Sequence, residues 1–189
     1  MNSPRPRPFS SLLLVLAAVA AVVLGLVTPA SAAAPYCGIT WGSQLKAHGG
    51  LSSDGVAITG VRSGHHDCYD RMVVDVNPAV TGLGGYRVEY VDRIFSDPKG
   101  EQLSVRGGAI LQVTVYAPNQ VNGQVTYLPQ NQREVVNVTG YRTFRQVVWA
   151  GSSEGVTTLG VGTRARLPFR VFVLPGSPSR MVIDVAHRW

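Results

Sequence analysis

Lysine is almost missing from this chain: Lys46 and Lys99 are the only lysines among its 17 basic residues, and the rest are arginine. Charged residues make up only 15% of the whole, and cysteine occurs twice, as Cys37 and Cys68. Two cysteines cannot build a disulfide-dense scaffold or a four-cysteine zinc ribbon. No CxxC, HExxH or glycine-rich phosphate loop occurs, which removes the common redox, zinc-protease and nucleotide-binding signatures. No nucleic-acid module is recognisable. No stretch sustains apolar residues at helical spacing, which argues against a helical domain. What remains is a chain of short β-branched runs punctuated by 21 glycines and 12 prolines. With arginine favoured over lysine, this composition points to a GC-rich bacterial source.

The first 32 residues read as a secretory signal. Arg5 and Arg7 form a positive start, residues 12–27 an apolar run, and Pro29 a break before the small-x-small site Ala30-Ser31-Ala32. The apolar run approaches the roughly 18 residues that could span a bilayer, so a retained anchor is the competing reading. Pro29 and the Ala-Ser-Ala site favour cleavage, with Ala33 as the mature start. No lipoprotein box precedes Cys37 and Arg5-Pro6-Arg7 is no twin-arginine pair. The expectation is an exported protein with no membrane span after cleavage. Two units of the formal charge of +6 belong to this leader. In an oxidising compartment Cys37 and Cys68 are expected to pair. A loop of about 30 residues closed this way contributes roughly 3–4 kcal/mol in the chain-entropy treatment. It would tie an N-terminal segment (33–55) to the main domain (56–189).

One hexamer occurs twice. Arg71-Met72-Val73-Val74-Asp75-Val76 returns as Arg180-Met181-Val182-Ile183-Asp184-Val185, with a single Val to Ile change. Strand alternation puts Met72, Val74 and Val76 on one face and Arg71, Val73 and Asp75 on the other. A strand and turn precede each copy: 56–62 with Ser63-Gly64, and 169–174 with Pro175-Gly176-Ser177-Pro178. Further strands are predicted at 86–91, 109–116, 135–138, 144–150 and 155–163. Residues 45–54 read as a surface loop, 63–70 as a turn, and 117–134 as a long loop or protruding hairpin around Asn122-Gly123. The class is all-β, an antiparallel β-sandwich with an internal pseudo-repeat.

Three constellations could carry chemistry. Gly151-Ser152-Ser153-Glu154-Gly155 fits G-x-S-x-G, followed by Asp184 and His187 in Ser-acid-His order. That motif works on a strand-to-helix turn, and here β-branched residues follow it. His65, His66 and Asp67 with Asp70 resemble a metal cluster in composition, but adjacent histidines rarely point at one ion, so the turn reading is preferred and Asp70 is expected to pair with Arg71. Arg164 and Arg166 read as one strand face, with Arg142 and Arg145 upstream near Phe144 and Trp149. Arginine beside aromatics suits recognition of carboxylates or phosphates on a polymer; a solvated face that keeps the sheet from aggregating explains them too. The expected binding residues are Arg142, Arg145, Trp149, Glu154, Arg164 and Arg166. No catalytic residue, metal or cofactor is assigned.

Several segments taken in order carry a family resemblance. Gly60-Val61-Arg62, His66 and 69–75 come first, then 85–91, then 141–152 with Glu154-Gly155. Residues 159–162 and 169–171 follow, and 180–187 closes the set. Together they resemble the AMIN-like domain of secreted actinobacterial proteins over residues 56–189. The resemblance implies a small β-sandwich related to envelope modules that carry cell-wall amidases to peptidoglycan. The chain ends at Trp189 with no second catalytic domain, so it is expected to act alone as a non-catalytic envelope-binding protein. Its expected partner is a cell-wall polymer, peptidoglycan or an associated acidic polymer. The alternatives are an interaction domain that offers a sheet edge to an envelope protein, and a small hydrolase using Ser153 and His187.

Overall fold

The computed structural model describes residues 35–51, 55–77 and 84–189. The leader, its cleavage site and most of the glycine-rich turn at 78–85 lie outside the described residues. Among those described, a 3-10 turn, Tyr36–Gly38, precedes thirteen strands: β1 (Lys46–Gly49), β2 (Ala57–His65), β3 (Tyr69–Asn77), β4 (Gly85–Val91), β5 (Ile94–Phe95), β6 (Gln102–Leu103), β7 (Ala109–Val115), β8 (Gln120–Val121), β9 (Gln124–Val125), β10 (Phe144–Ser153), β11 (Val156–Thr163), β12 (Phe169–Leu174) and β13 (Ser179–Ala186). Two main antiparallel sheets result, with strand orders β1-β4-β7-β11-β10 and β12-β13-β3-β2.

The four-stranded sheet consists of the two repeat hairpins, β2–β3 and β12–β13, joined along their repeat strands. In that seam Arg71 faces Asp184, Val73 faces Val182 and Asp75 faces Arg180. The sequence explains the register. A hexamer with Arg first and Asp fifth is its own antiparallel complement, and opposite charges directly across a pair are favourable. The inward set Met72, Val74, Val76, Met181, Ile183 and Val185 is fully buried, as are Val88, Leu111, Val113, Leu159 and Val161 of the five-stranded sheet. All belong to one core cluster. The β-sandwich is the one the alternation predicts.

Several boundaries differ from the sequence reading. Residues 46–49 form an edge strand on β4 instead of lying in a loop. The strand stays mostly exposed, so no hydrophobic alternation marks it. Residues 135–138 form no strand. The segment leading into them lies along the free edge of β10 through Trp149 N to Gln132 O and Val135 N to Val147 O, each 2.8 Å. Arg164 and Arg166 follow the end of β11 and share no strand face. The hairpin at Asn122-Gly123 forms as read, with φ of 51° and 77° at its two turn residues, the positive values a tight β-hairpin turn requires. Cys37 and Cys68 are disulfide-bonded, and Gly42 bridges to Phe169, which sets the N-terminal segment on the edge of β12.

Glycine has a packing role on β11. The segment following β6 crosses its outer face, and a Cβ built on Gly162 would sit 1.9 Å from the Arg106 carbonyl oxygen, too close for any side chain. Gly162→Ala is therefore expected to lower unfolding stability by about 1–3 kcal/mol in urea titration. Gly50→Ala, where a Cβ meets nothing within 4 Å, should leave the midpoint unchanged.

Candidate functional site

The outward positions of the four-stranded sheet line up across its strands. From β12 to β2 the first row is Arg170, Asp184, Arg71 and Gly64, and the second is Phe172, Val182, Val73 and Arg62. The third is Leu174, Arg180, Asp75 and Gly60. Charge thus sits at both ends, and the middle row is apolar except for Arg62 at the β2 edge.

The first row is closed. Asp184 is fully buried, and its carboxylate accepts from Arg71 Nε at 2.6 Å and Nη2 at 2.9 Å, and from Arg170 Nε at 2.8 Å. The two guanidiniums are stacked among aromatic rings. Arg170 lies 5.0 Å from the Phe172 centroid, 5.4 Å from Tyr69 and 5.6 Å from Trp41, and Arg71 lies 5.1 Å from Tyr69. The third row is open. Asp75 turns to Arg62, accepting from Nε at 2.9 Å and Nη2 at 3.0 Å. Arg180, its partner across the strands, has no ion pair among the described residues. A cavity of about 250 Å³ lies over the buried Val73 and Val182, and Arg62, Arg71, Arg180 and His66 line it. It presents three guanidiniums over an apolar floor, a surface suited to carboxylates or phosphates on a chain with apolar parts.

A second cluster closes one end of the sandwich. Asp70 is fully buried at the head of β3's inward column. Its Oδ2 accepts from the backbone N–H of Thr143 at 2.5 Å and of Phe144 at 2.9 Å. Its Oδ1 faces Nδ1 of His65 at 2.7 Å and Nε2 of His187 at 3.1 Å. Burial alone raises the pKa of this carboxyl, but the facing His65 imidazole, the backbone N–H groups of Phe144 and Thr143 and the facing His187 imidazole together hold it below the usual carboxylate value. The expected Asp70–Arg71 pair does not form, because adjacent residues of a strand point to opposite faces.

The residues expected to bind are scattered. Trp149 is 7% exposed and packs in the core beside Tyr127. Arg145 folds back on the carbonyls of Tyr141 (3.2 Å) and Phe144 (2.9 Å). Arg142 reaches the Asp67 carbonyl at 3.5 Å, and Arg164 binds the His187 carbonyl. These three arginines gather at the Asp70 end. Arg166 stacks 5.2 Å from the Tyr90 ring, and Glu154 sits at φ 50° in the β10–β11 turn. That turn contains the G-x-S-x-G run, so Ser153 lies on a hairpin, while Asp184 and His187 are bonded elsewhere. Among the described residues no Ser-His-Asp constellation assembles.

The open-face arginines and His187 were missed as a site because their neighbours come from other strands. The repeat itself was the available signal, since alternation already put Arg71 and Asp75, and Arg180 and Asp184, on one outward face. The two repeat aspartates should differ in energetic weight. Asp184→Asn leaves two arginines without their buried counter-charge and is expected to cost about 2–4 kcal/mol, below the full penalty for a buried pair because both arginines are partly exposed. Asp75→Asn, in a pair whose arginine is 56% exposed, should cost less than about 1 kcal/mol. Urea unfolding of the two variants checks the contrast.

No curated protein and no solved structure matches the chain significantly. The family model of the AMIN-like domain matches residues 56–187, which span β2 through β13 and contain both the outward face and the Asp70 cluster. Family membership points to a cell-wall-associated binding domain, consistent with a disulfide-bonded chain. Among the described residues no helix is long and apolar enough to cross a membrane. With its twofold hairpin sheet and a match over most of its length, the chain belongs to the AMIN-like domain family.

Proposed function

We propose that this domain is exported and binds an acidic component of the cell wall, peptidoglycan or a polymer attached to it, without transforming it. The observation that carries the reading is Arg180, an arginine without an ion-pair partner among the described residues. It stands beside Arg62 and Arg71 at the rim of a valine-floored cavity. A guanidinium already neutralised by an aspartate has little left for a ligand; Arg180 has its full donor fork available. The surrounding geometry is rigid, since it lies on paired strands and not on loops. The leader read from residues 1–32 supplies the route to the wall. The arginines at the Asp70 end, Arg142, Arg145 and Arg164, with Arg166 on Tyr90 and Glu154 in its turn, form the rival contact set. The four arginines of that set add positive potential that would draw an acidic polymer in.

Sedimentation of the purified protein with peptidoglycan, with and without its acidic secondary polymers, tests the reading. Binding should weaken between about 0.1 M and 1 M salt, as the screening length falls from about 10 Å to about 3 Å. Arg180→Ala should reduce it roughly 10- to 100-fold, the value of one charge-assisted hydrogen bond set, while Arg164→Ala/Arg166→Ala should act less. The reverse order would move the contact to the Asp70 end. No sedimentation at any salt would reject wall binding altogether.

A further inference from the structure

We propose that His65, Asp70 and His187 form a binding site for one transition-metal ion of the zinc class. The argument starts from a proton. Nδ1 of His187 lies 3.1 Å from the Asp67 carbonyl oxygen, which can only accept, so Nδ1 carries the hydrogen. In a neutral ring Nε2 then bears a lone pair, and it points at Asp70 Oδ1, another acceptor, 3.1 Å away. Two acceptors held face to face require a cation between them, either a proton or a metal ion.

Three features favour the metal. First, the ligand atoms of His65, Asp70 and His187 lie within 4.8 Å of one another. Second, the outer contacts are those that orient metal ligands. His187 is fixed through Nδ1 to a backbone carbonyl, and Asp70 through Oδ2 to two backbone amides, which leaves Nε2 and Oδ1 for the ion. Third, the ligands come from the ends of paired strands. His65 on β2 and Asp70 on β3 are direct partners, and His187 follows the last paired residue of β13. Ligands at about 2.0–2.1 Å in a tetrahedral site stand about 3.3 Å apart. By that measure His187 needs to move about 0.2 Å from Oδ1 and His65 about 0.6 Å, and the two imidazole nitrogens, within 4.8 Å of each other, need to close by up to about 1.5 Å. The His65 side chain is 40% exposed and can move, and its side of the cluster is where a fourth ligand such as water would enter.

The surrounding charge narrows the ion. Arg142 on the Asp67 carbonyl and Arg164 on the His187 carbonyl are both cationic, and the cluster's single acid is Asp70. With one carboxylate and two imidazoles, the donor set disfavours calcium or magnesium, which depend on several oxygen ligands. Imidazole donors suit zinc and its neighbours. His66, adjacent in sequence, lines the outward cavity instead.

The test is titration of the chelator-stripped, disulfide-intact full chain with Zn2+ against a chromophoric competitor. One equivalent should bind, and Co2+ in its place should give the intense visible absorption of a tetrahedral site. His187→Ala and His65→Ala should each weaken binding beyond the roughly 10- to 100-fold that a change in an outer contact costs, whereas His48→Ala should not. His65 is exposed enough that its variant will fold even if His187→Ala does not. Absence of binding, or binding indifferent to His65→Ala, would overturn the site. So would nitrogen NMR showing both His187 ring nitrogens protonated in the presence of one equivalent of Zn2+.

Discussion

The seam between β3 and β13 fixes the rest of the molecule. Each strand brings an arginine, a valine and an aspartate to the outer face, and antiparallel pairing about the Val73–Val182 contact sets arginine against aspartate at both ends. A slip of one residue would turn the methionines and valines of the core to solvent. A slip of two would keep the faces but would move Arg71 off Asp184 and strip a fully buried carboxylate of a bidentate partner. Hydrophobic periodicity thus excludes odd slips and charge excludes even ones. A buried ion pair seldom adds much net stability; here its contribution is to specify register.

The sheet is symmetric in sequence and asymmetric in what surrounds it, and the asymmetry produces the candidate site. At the Asp184 end β12 contributes Arg170 and Phe172, and the N-terminal segment contributes Trp41, so the carboxylate is covered and neutralised. At the Asp75 end β12 offers Leu174, and β2 offers Arg62 from the row above. Asp75 takes that arginine, which leaves Arg180 without an ion pair among the described residues. Two copies of one hexamer therefore do different things, one holding the seam and the other leaving a cation over an apolar floor.

How far this was legible follows from which contacts are local. The two repeat hairpins, the inward column of Met72, Val74 and Val76, and the Asn122-Gly123 turn could be read because alternation and turn chemistry are properties of short stretches. The edge strand at 46–49 could not, since only backbone pairing holds it and its side chains remain in water. Residues 135–138 misled for the opposite reason: their valines pack against the core and one backbone bond, Val135 N to Val147 O, sets them along β10, but no ladder continues from it. The binding residues were sought where arginine and aromatic residues are close in sequence, at 142–149 and 164–166. Arg166 does stack, but on Tyr90 of a distant strand, and the arginines stacked on the outward face, Arg71 and Arg170, meet Tyr69, Phe172 and Trp41 only after three segments come together.

The same limitation explains the histidine cluster. His65 and His66 look like one unit in sequence, but His65 ends β2 and His66 opens the turn after it, so one faces Asp70 and the other lines the outward cavity. The histidine that completes the cluster lies at the far end of the chain. What brings it there is the turn at 66–68, which is held from both sides. Cys68 is bonded to Cys37 of the N-terminal segment, and its carbonyl accepts from the His187 N–H at 2.9 Å. The next carbonyl back, of Asp67, receives the His187 ring and Arg142. A turn of polar residues at a sheet end would ordinarily be mobile. This one is clamped by a covalent bond, a strand terminus and an arginine, and only a clamped turn can keep two imidazoles aimed at one carboxylate oxygen. The disulfide therefore does more than close a loop: it holds the backbone on which the cluster's geometry depends.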